Sequence, residues 1–507
     1  MVSGASSFDF LYPCGVMKTP AKSSDEVQAD TRFFGHPLPL AQLFGLEMWE
    51  RFSYYGMQGI LAIYLYFSVA DGGLGYSQTT ATAFVGAYGG AVFLATILGS
   101  WIADRVLSSE RVLFSSAIII VAGHVALAIV PGFAGVLIGT GLVALGSGGL
   151  KATASAIVGT LYSEKDPRRD AGFSLFYLGI NVGALLGPLI VGLLQDRIGF
   201  HIGFGAAAVG MALGLIVYMT GRKNLPADSR KTVNPLPRNK LWILPAAVVA
   251  VGLAIWAVVA LGWLTVSNIS TWIAGVSAFA AIVYFTIMTT SKQVTSVERS
   301  RVFAFIPFFL ASVVFWALYQ QIFGVLVVYS DESLNRSVFG WEMPIAWVTL
   351  IPAAWVILLS MGTSALWLRM GDKQPSTMVK AGLALVLIGV AFLLFIPFSS
   401  SGTGDARTPL LYMIFLLMLF VIAELLISPI GLSAATRLAP RVFRSQMIAL
   451  FFLASGVGTS LAGVTSQFYA VDNQLPYWMW HGIAALVFGA IVLAAAKPVT
   501  KLMKGVR

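Results

Sequence analysis

Residues 47–55 read Glu47-Met48-Trp49-Glu50-Arg51-Phe52-Ser53-Tyr54-Tyr55, inside an apolar segment that runs from about Leu38 to Phe67. Spacings of three and four place Glu47, Glu50 and Arg51 on one face of a helix. Tyr54 and Gln58 continue that stripe over the next two turns. Two carboxylates and a guanidinium thus stand where a bilayer span is otherwise lipid-like. Charges within a span are rare and costly, and they usually face a polar pathway. One Glu–Arg pair would suffice to glue helices together. The second carboxylate exceeds what Arg51 neutralises, so the stretch reads as a working site.

The surroundings make it a membrane chain. Of 507 residues, 58% are hydrophobic and only 11% charged. Apolar runs of about 20 residues recur throughout, the length that crosses a bilayer as a helix. The net charge of +10 does not mark a nucleic-acid binder, because the basic residues sit in short loops between apolar runs. Cys14 is the only cysteine, which excludes an internal disulfide. Residues 1–36 read as a mobile cytoplasmic tail with no cleavable signal peptide, lacking a basic start and an apolar core.

Spans are expected near 38–67, 78–104, 111–131, 135–161, 171–194 and 201–220, a six-helix bundle over 37–221. A Pro-rich basic linker occupies 222–240. An inserted helix pair follows over 241–292, with spans near 241–264 and 270–290. A second six-helix bundle covers 293–498, with spans near 301–329, 343–368, 377–397, 408–436, 443–470 and 477–497. A tail of 499–507 closes an all-α membrane protein of 14 transmembrane helices.

Loop charge tests that topology. With the amino terminus inside, only Arg197, Arg336 and Arg407 of the 32 Lys and Arg fall in outside loops. Arg51 and Lys151 lie within spans, and the rest are inside. Such asymmetry places both ends in the cytoplasm. Among the 22 acids, only Glu47, Glu50 and Glu424 fall well within spans. Intramembrane charges on both halves point to a carrier with its site near the midplane, where the halves meet.

Four motifs carry a resemblance. Gly99-Ser100-Trp101-Ile102-Ala103-Asp104-Arg105 resembles the loop motif of the major facilitator superfamily, its glycine permitting close helix packing. Glu47 to Gly56 matches the ExxERFxYYG motif of the proton-dependent oligopeptide transporter family. Phe173-Ser174-Leu175-Phe176-Tyr177-Leu178-Gly179-Ile180-Asn181-Val182-Gly183 resembles that family's fifth-span motif. Phe420-Val421-Ile422-Ala423-Glu424-Leu425-Leu426-Ile427-Ser428-Pro429-Ile430-Gly431 resembles its tenth-span motif. The resemblance implies a major facilitator fold, with two halves that alternate access to a central cavity for di- and tripeptides, and uptake coupled to protons.

A zwitterionic peptide needs an acid for its amino end and a base for its carboxylate. Glu424, the only intramembrane acid of the second half, takes the ammonium group, as its family equivalent does. Arg51 and Lys151, the only intramembrane bases, hold the carboxylate. For Lys151 the plainer reading is a helix-end lysine reaching an interface. Asn181, Tyr54 and Tyr55 are candidates for bonds to the peptide, though each equally suits helix packing. Ser428 is a further candidate, with Pro429 offering it freed backbone to satisfy instead.

The chain also departs from the family pattern. The usual Lys-Pro-Asn is Lys151-Ala152-Thr153. The common Phe-Trp-x-x-Phe-Glu-Gln is Phe315-Trp316-Ala317-Leu318-Tyr319-Gln320-Gln321, and an arginine common in the first span is Gln58. In the family those two charges form an outer gate; here Gln58 and Gln320 are expected to face each other across it, with Gln320 also near the substrate. Span eight lacks the usual Asn near its start, and Phe451 stands where a pocket tryptophan is common. His36, His124, His201 and His481 lie outside the central motifs. Proton coupling therefore falls on Glu47 and Glu50 beside Arg51.

The expected partners are di- and tripeptides, protons and the lipid bilayer. Nucleic acid, metal and cofactor are not expected, and the chain is read as a monomer of the plasma (inner) membrane. A carrier of nitrate, amino acids or other organic anions is the alternative, but it would not need Glu424. No metal-ligand spacing or nucleophile elbow suggests an intramembrane enzyme. No sizeable soluble domain suggests a receptor. The helix pair is expected to be peripheral.

Overall fold

A computed structural model describes residues 24–163, 166–232, 234–399 and 407–505. Cys14 and most of the expected tail, and the last two residues, lie outside them. Helix α1 (Ser24–Gln28) precedes α2 (Leu38–Tyr66), whose Pro39 falls in the first turn, where a missing N–H costs nothing. The first bundle continues with α3 (Gln78–Arg105), α4 (Ser109–Ile129), α5 (Gly132–Thr160), α6 (Arg169–Arg197) and α7 (Phe200–Gly221). Between bundles come α8 (Ile243–Ala260) and α9 (Ile269–Thr290). The second bundle holds α10 (Ser296–Tyr319) with α11 (Val325–Glu332), then α12 (Ile351–Met370), α13 (Thr377–Leu393), α14 (Leu410–Leu438), α15 (Arg444–Thr465) and α16 (Leu475–Leu502). Among the described residues, 13 candidate spans are long and apolar enough to cross a membrane, α10 and α11 counting as one; α2 joins them despite its three charges.

Two expected spans are not continuous helices. The span near 301–329 tightens into a 3-10 turn at Gln320–Phe323 and breaks at Gly324 (φ −116°, ψ −95°) before α11 resumes. Span eight opens as a 3-10 turn, Ile345–Leu350, because Pro344 caps it and Pro352 withholds an N–H from the start of α12. Short strands decorate the face opposite the chain ends: β1 (Leu334–Asn335) runs parallel to β4 (Thr408–Pro409), and β2 (Ser337–Val338) pairs antiparallel with β3 (Trp341–Glu342).

The bundles meet through close helix crossings. A methyl at Gly99 of α3 would lie 2.5 Å from Gly149 Cα of α5, as the motif glycine implies. The two halves touch along α3 and α15, where Gly86, Gly89 and Gly90 lie against Thr459, Ser460 and Gly463. Helix α9 lies in this seam: Ser270 Oγ donates to Ser460 O at 2.6 Å, and α9 packs on both α3 and α15. The inserted pair is thus only half peripheral, since α8 buries no side chain while α9 touches both halves.

Residues 24–36 are not a free tail. Val27 is buried, and Arg168, in the α5–α6 connection, donates to the carbonyls of Gln28, Asp30 and Gly35. His36 Nδ1 meets Tyr162 Oη at 2.9 Å. Asp30 accepts from Leu38 N–H at the start of α2, a favourable place for an anion. The hydrogen-bonded Arg32 guanidinium, with the N–H groups of Arg32 and Leu38, holds the Asp30 carboxyl well below its ordinary value despite partial burial. Arg168 does the same for Asp166. The 222–240 linker is likewise anchored: Glu110 accepts from Arg222, and Asn234 and Leu236 donate N–H to the carbonyls of Asp104 and Arg105.

Candidate functional site

The charged stripe of α2 faces the interior. The backbone of α6 crosses it closely: a methyl at Gly183 would stand 2.8 Å from Arg51 Cβ and 2.9 Å from Phe52 N. Arg51 Nε donates to Glu47 Oε1 at 2.9 Å, and Nη2 reaches the same oxygen at 2.8 Å. Glu50 Oε2 lies 3.0 Å from Arg51 Nε but off the line of its N–H, so it gains charge proximity and no hydrogen bond. The other Glu50 oxygen accepts from Ser147 Oγ of α5 at 2.7 Å. Glu47 Oε2 also lacks a partner. Two buried carboxylates thus share one guanidinium, and each keeps an oxygen free of hydrogen bonds.

Lys151 stands one turn beyond Ser147. Its ammonium lies 4.8 Å above the Tyr54 ring and 4.8 Å above the Phe93 ring, within electrostatic range of Glu50 and Glu47. None of the ion pairs among the described residues includes it. The lysine is buried among aromatic faces, not reaching for an interface, and its charge is available to an incoming anion.

The intramembrane acid of the second half, Glu424, lies on α14. Tyr319 Oη donates to Glu424 Oε2 at 2.5 Å. Tyr55 lies within electrostatic range of Arg51 on one side and Glu424 on the other, and Tyr177 of α6 also comes near Glu424. Tyr55 stacks on Phe323 with centroids 5.8 Å apart, and Tyr54 meets Tyr88 at 5.9 Å. Asn181 donates to Tyr177 O of its own helix, leaving its amide oxygen for another donor. Ser428 does not satisfy backbone beside Pro429: its Oγ is buried with no partner.

Gln58 and Gln320 do not bond to each other. Gln320 Nε2 donates to Thr459 Oγ1 at 3.2 Å, and Gln58 approaches the same Gly89–Thr459 crossing with Oε1 unpartnered. Thr459 therefore stands where a direct contact was expected. The halves are also joined at the face opposite the chain ends. There Tyr66 Oη donates to Asp331, Gln78 Nε2 to Glu332 and Trp347 Nε1 to Leu189 O, at 2.9, 2.9 and 3.1 Å. A charged cavity of about 690 Å³, lined in part by Asp71, Arg197, Asp331, Arg336 and Glu342, opens beside these bonds.

The first bundle thus buries Glu47, Glu50, Arg51 and Lys151 together, and the second buries Glu424 against Tyr319. The POT family profile (PTR2) matches residues 110–480. The chain belongs to the POT family. A di-/tripeptide transporter of Lactococcus lactis subsp. cremoris is 38% identical over 493 residues, covering 95% of this chain and 99% of its own. The uncharacterized transporter YclF of Bacillus subtilis is 38% identical over 475 residues, covering 94% and 96%. A crystal structure of the peptide transporter POT in complex with sulfate superposes with a TM-score of 0.90 at 39% identity, over 96% of this chain and all of that one.

For this POT-family chain, sequence reasoning found the charged residues and missed their neutral partners. Ser147, Tyr319, Phe93, Phe323, Tyr88 and Thr459 each touch a site residue. Ser147 had a visible signal, standing in Gly146-Ser147-Gly148-Gly149 one turn before Lys151. Of the histidines, His481 stacks on Phe392, and His201 meets Ala128 O. Among the described residues no group of three His, Cys, Asp or Glu is arranged to hold a metal.

Proposed function

We propose that the chain is a proton-coupled symporter that imports di- and tripeptides by alternating access across the plasma (inner) membrane, as a monomer with both ends in the cytoplasm. The peptide carboxylate binds Arg51 and Lys151, and its ammonium binds Glu424. Tyr54, Tyr55, Asn181, Gln320 and Ser428 contact its backbone and side chains. Relatives described as di-/tripeptide transporters, and a solved peptide transporter of similar structure, support the substrate class. The loop-charge asymmetry supports the orientation. With the face opposite the chain ends stitched by Tyr66–Asp331 and Gln78–Glu332, the described arrangement corresponds to the state closed to the outside.

The observation that carries the reading is the sharing of Arg51 by Glu47 and Glu50 beside a lysine without an acid partner. A peptide carboxylate entering at Lys151 also draws on Arg51. The glutamates then lose part of their counter-charge, and a proton on Glu47 Oε2 or Glu50 Oε2 restores neutrality. Substrate and proton are linked because both neutralise the same buried group. Glu47→Gln and Glu50→Gln in liposomes should lose accumulation driven by an imposed pH gradient while keeping some peptide-for-peptide exchange. Accumulation in both variants would overturn the coupling.

A further inference from the structure

We propose that the Tyr319 hydroxyl is the resident occupant of Glu424, which a substrate ammonium must displace, so that Tyr319 sets how strongly the carrier selects a free amino end. The inference rests on the assignment of Glu424 to the peptide amino group. The hydroxyl–carboxylate distance of 2.5 Å is that of a charge-assisted bond. Tyr319 is 8% exposed, and its ring is held on several sides. It stacks on Phe315 at 5.6 Å, meets Trp316 edge-on at 5.4 Å and lies 6.2 Å from Phe420. Those contacts aim the hydroxyl at Glu424 at little entropic cost. No ion pair among the described residues includes Glu424, and the neutral Tyr319 hydroxyl is the donor it meets.

An ammonium brings three donors and a full charge, where the phenol brings one donor. Exchange of one for the other on a carboxylate is therefore downhill for a free-amino peptide and closed to a peptide whose amine is acylated. The hydroxyl serves the empty carrier as well, because a carboxylate stripped of its ligand returns to Tyr319 and does not cross the transport cycle unpartnered. Placement adds a mechanical consequence. Tyr319 is the last residue of α10, and the following turn bonds Thr459 through Gln320 and stacks on Tyr55 through Phe323. Releasing the hydroxyl loosens the break through which the second half touches the first.

The test uses the full chain in liposomes, with competition uptake by dialanine and by N-acetyl-dialanine. Tyr319→Phe keeps the ring packing and removes the competitor. It should tighten dialanine and widen the ratio of the two affinities about tenfold, the worth of one hydrogen bond to a charged group. Net uptake at saturation should fall as KM falls, because the empty carrier then returns with Glu424 unpartnered. A loosened fold would not yield tighter binding. An unchanged ratio, or a narrower one, would overturn the proposal. Glu424→Gln separates the two layers. If it leaves the preference for dialanine intact, the amino-end assignment itself fails. If it erases that preference while Tyr319→Phe leaves the ratio unmoved, only the role of Tyr319 fails.

Discussion

Replacing Gln58 by arginine tests the gate, because the structure offers that position no acid. Gln58 is 2% exposed, and its Oε1 already lacks a partner. A guanidinium there would meet Gly89 and Thr459, neither of which carries charge. The change removes an unsatisfied carbonyl, worth about 1 kcal/mol. It adds an unpaired buried charge, which costs about 3–5 kcal/mol. Gln58→Arg alone should therefore destabilise by roughly 2–4 kcal/mol. Gln320, which shares Thr459 with Gln58, is placed to answer that charge. Gln320→Glu alone should also lose stability, since its carboxylate would face Thr459 with no base opposite.

The double variant should recover most of the loss. A coupling of at least about 2 kcal/mol in the double-mutant cycle is expected, well above the few tenths seen for independent sites. Thermal melting of the four proteins in detergent gives the cycle, and dipeptide uptake gives its functional counterpart. A double variant that melts as low as the two single losses added together would refute the argument. In that case Thr459 would be a barrier between the positions and not a shared neighbour.

At the α2–α6 crossing, Gly183→Ala must push the helices apart beside Arg51; a loss of about 1–3 kcal/mol of stability and weaker dipeptide affinity are expected, read by melting and competition uptake. At the terminal face, the lowered Asp30 carboxyl stabilises the docked segment above its ordinary range, near 3.8, and that contribution persists until pH falls through its still lower folded value. Hydrogen exchange at Arg32 and Leu38 should thus stay slow at pH 4, whereas Asp30→Asn should speed it already at pH 7.

Much of this architecture was legible because a bilayer simplifies the code. Apolar runs report spans, and charges left within them report function, so α2 and its triad were readable before any coordinate. The misses share one cause, since periodicity tells that a helix is buried and not against what. Helix α9 reads as one more apolar run, yet its Ser270 bonds a carbonyl on α15 and so ties an inserted element to the seam of the halves. Residues 24–36 look like any polar leader, because the side chain that secures them, Arg168, lies some 130 to 140 residues away. Gly324 was the only local sign of the α10 break, where proline would have announced it.

Tyr319 shows the same limit at the site itself. In Phe315-Trp316-Ala317-Leu318-Tyr319 a hydroxyl looks like one more aromatic in a packed stripe. Only the fold reveals that it ends on Glu424. The charges of this carrier could be enumerated from the chain, whereas its neutral donors acquire meaning from the carboxylate each one meets. Ser147 donates to Glu50 in one half and Tyr319 to Glu424 in the other, each a hydroxyl on a buried acid. In the proposed cycle, selectivity and coupling therefore depend as much on what those hydroxyls release as on what the charges attract.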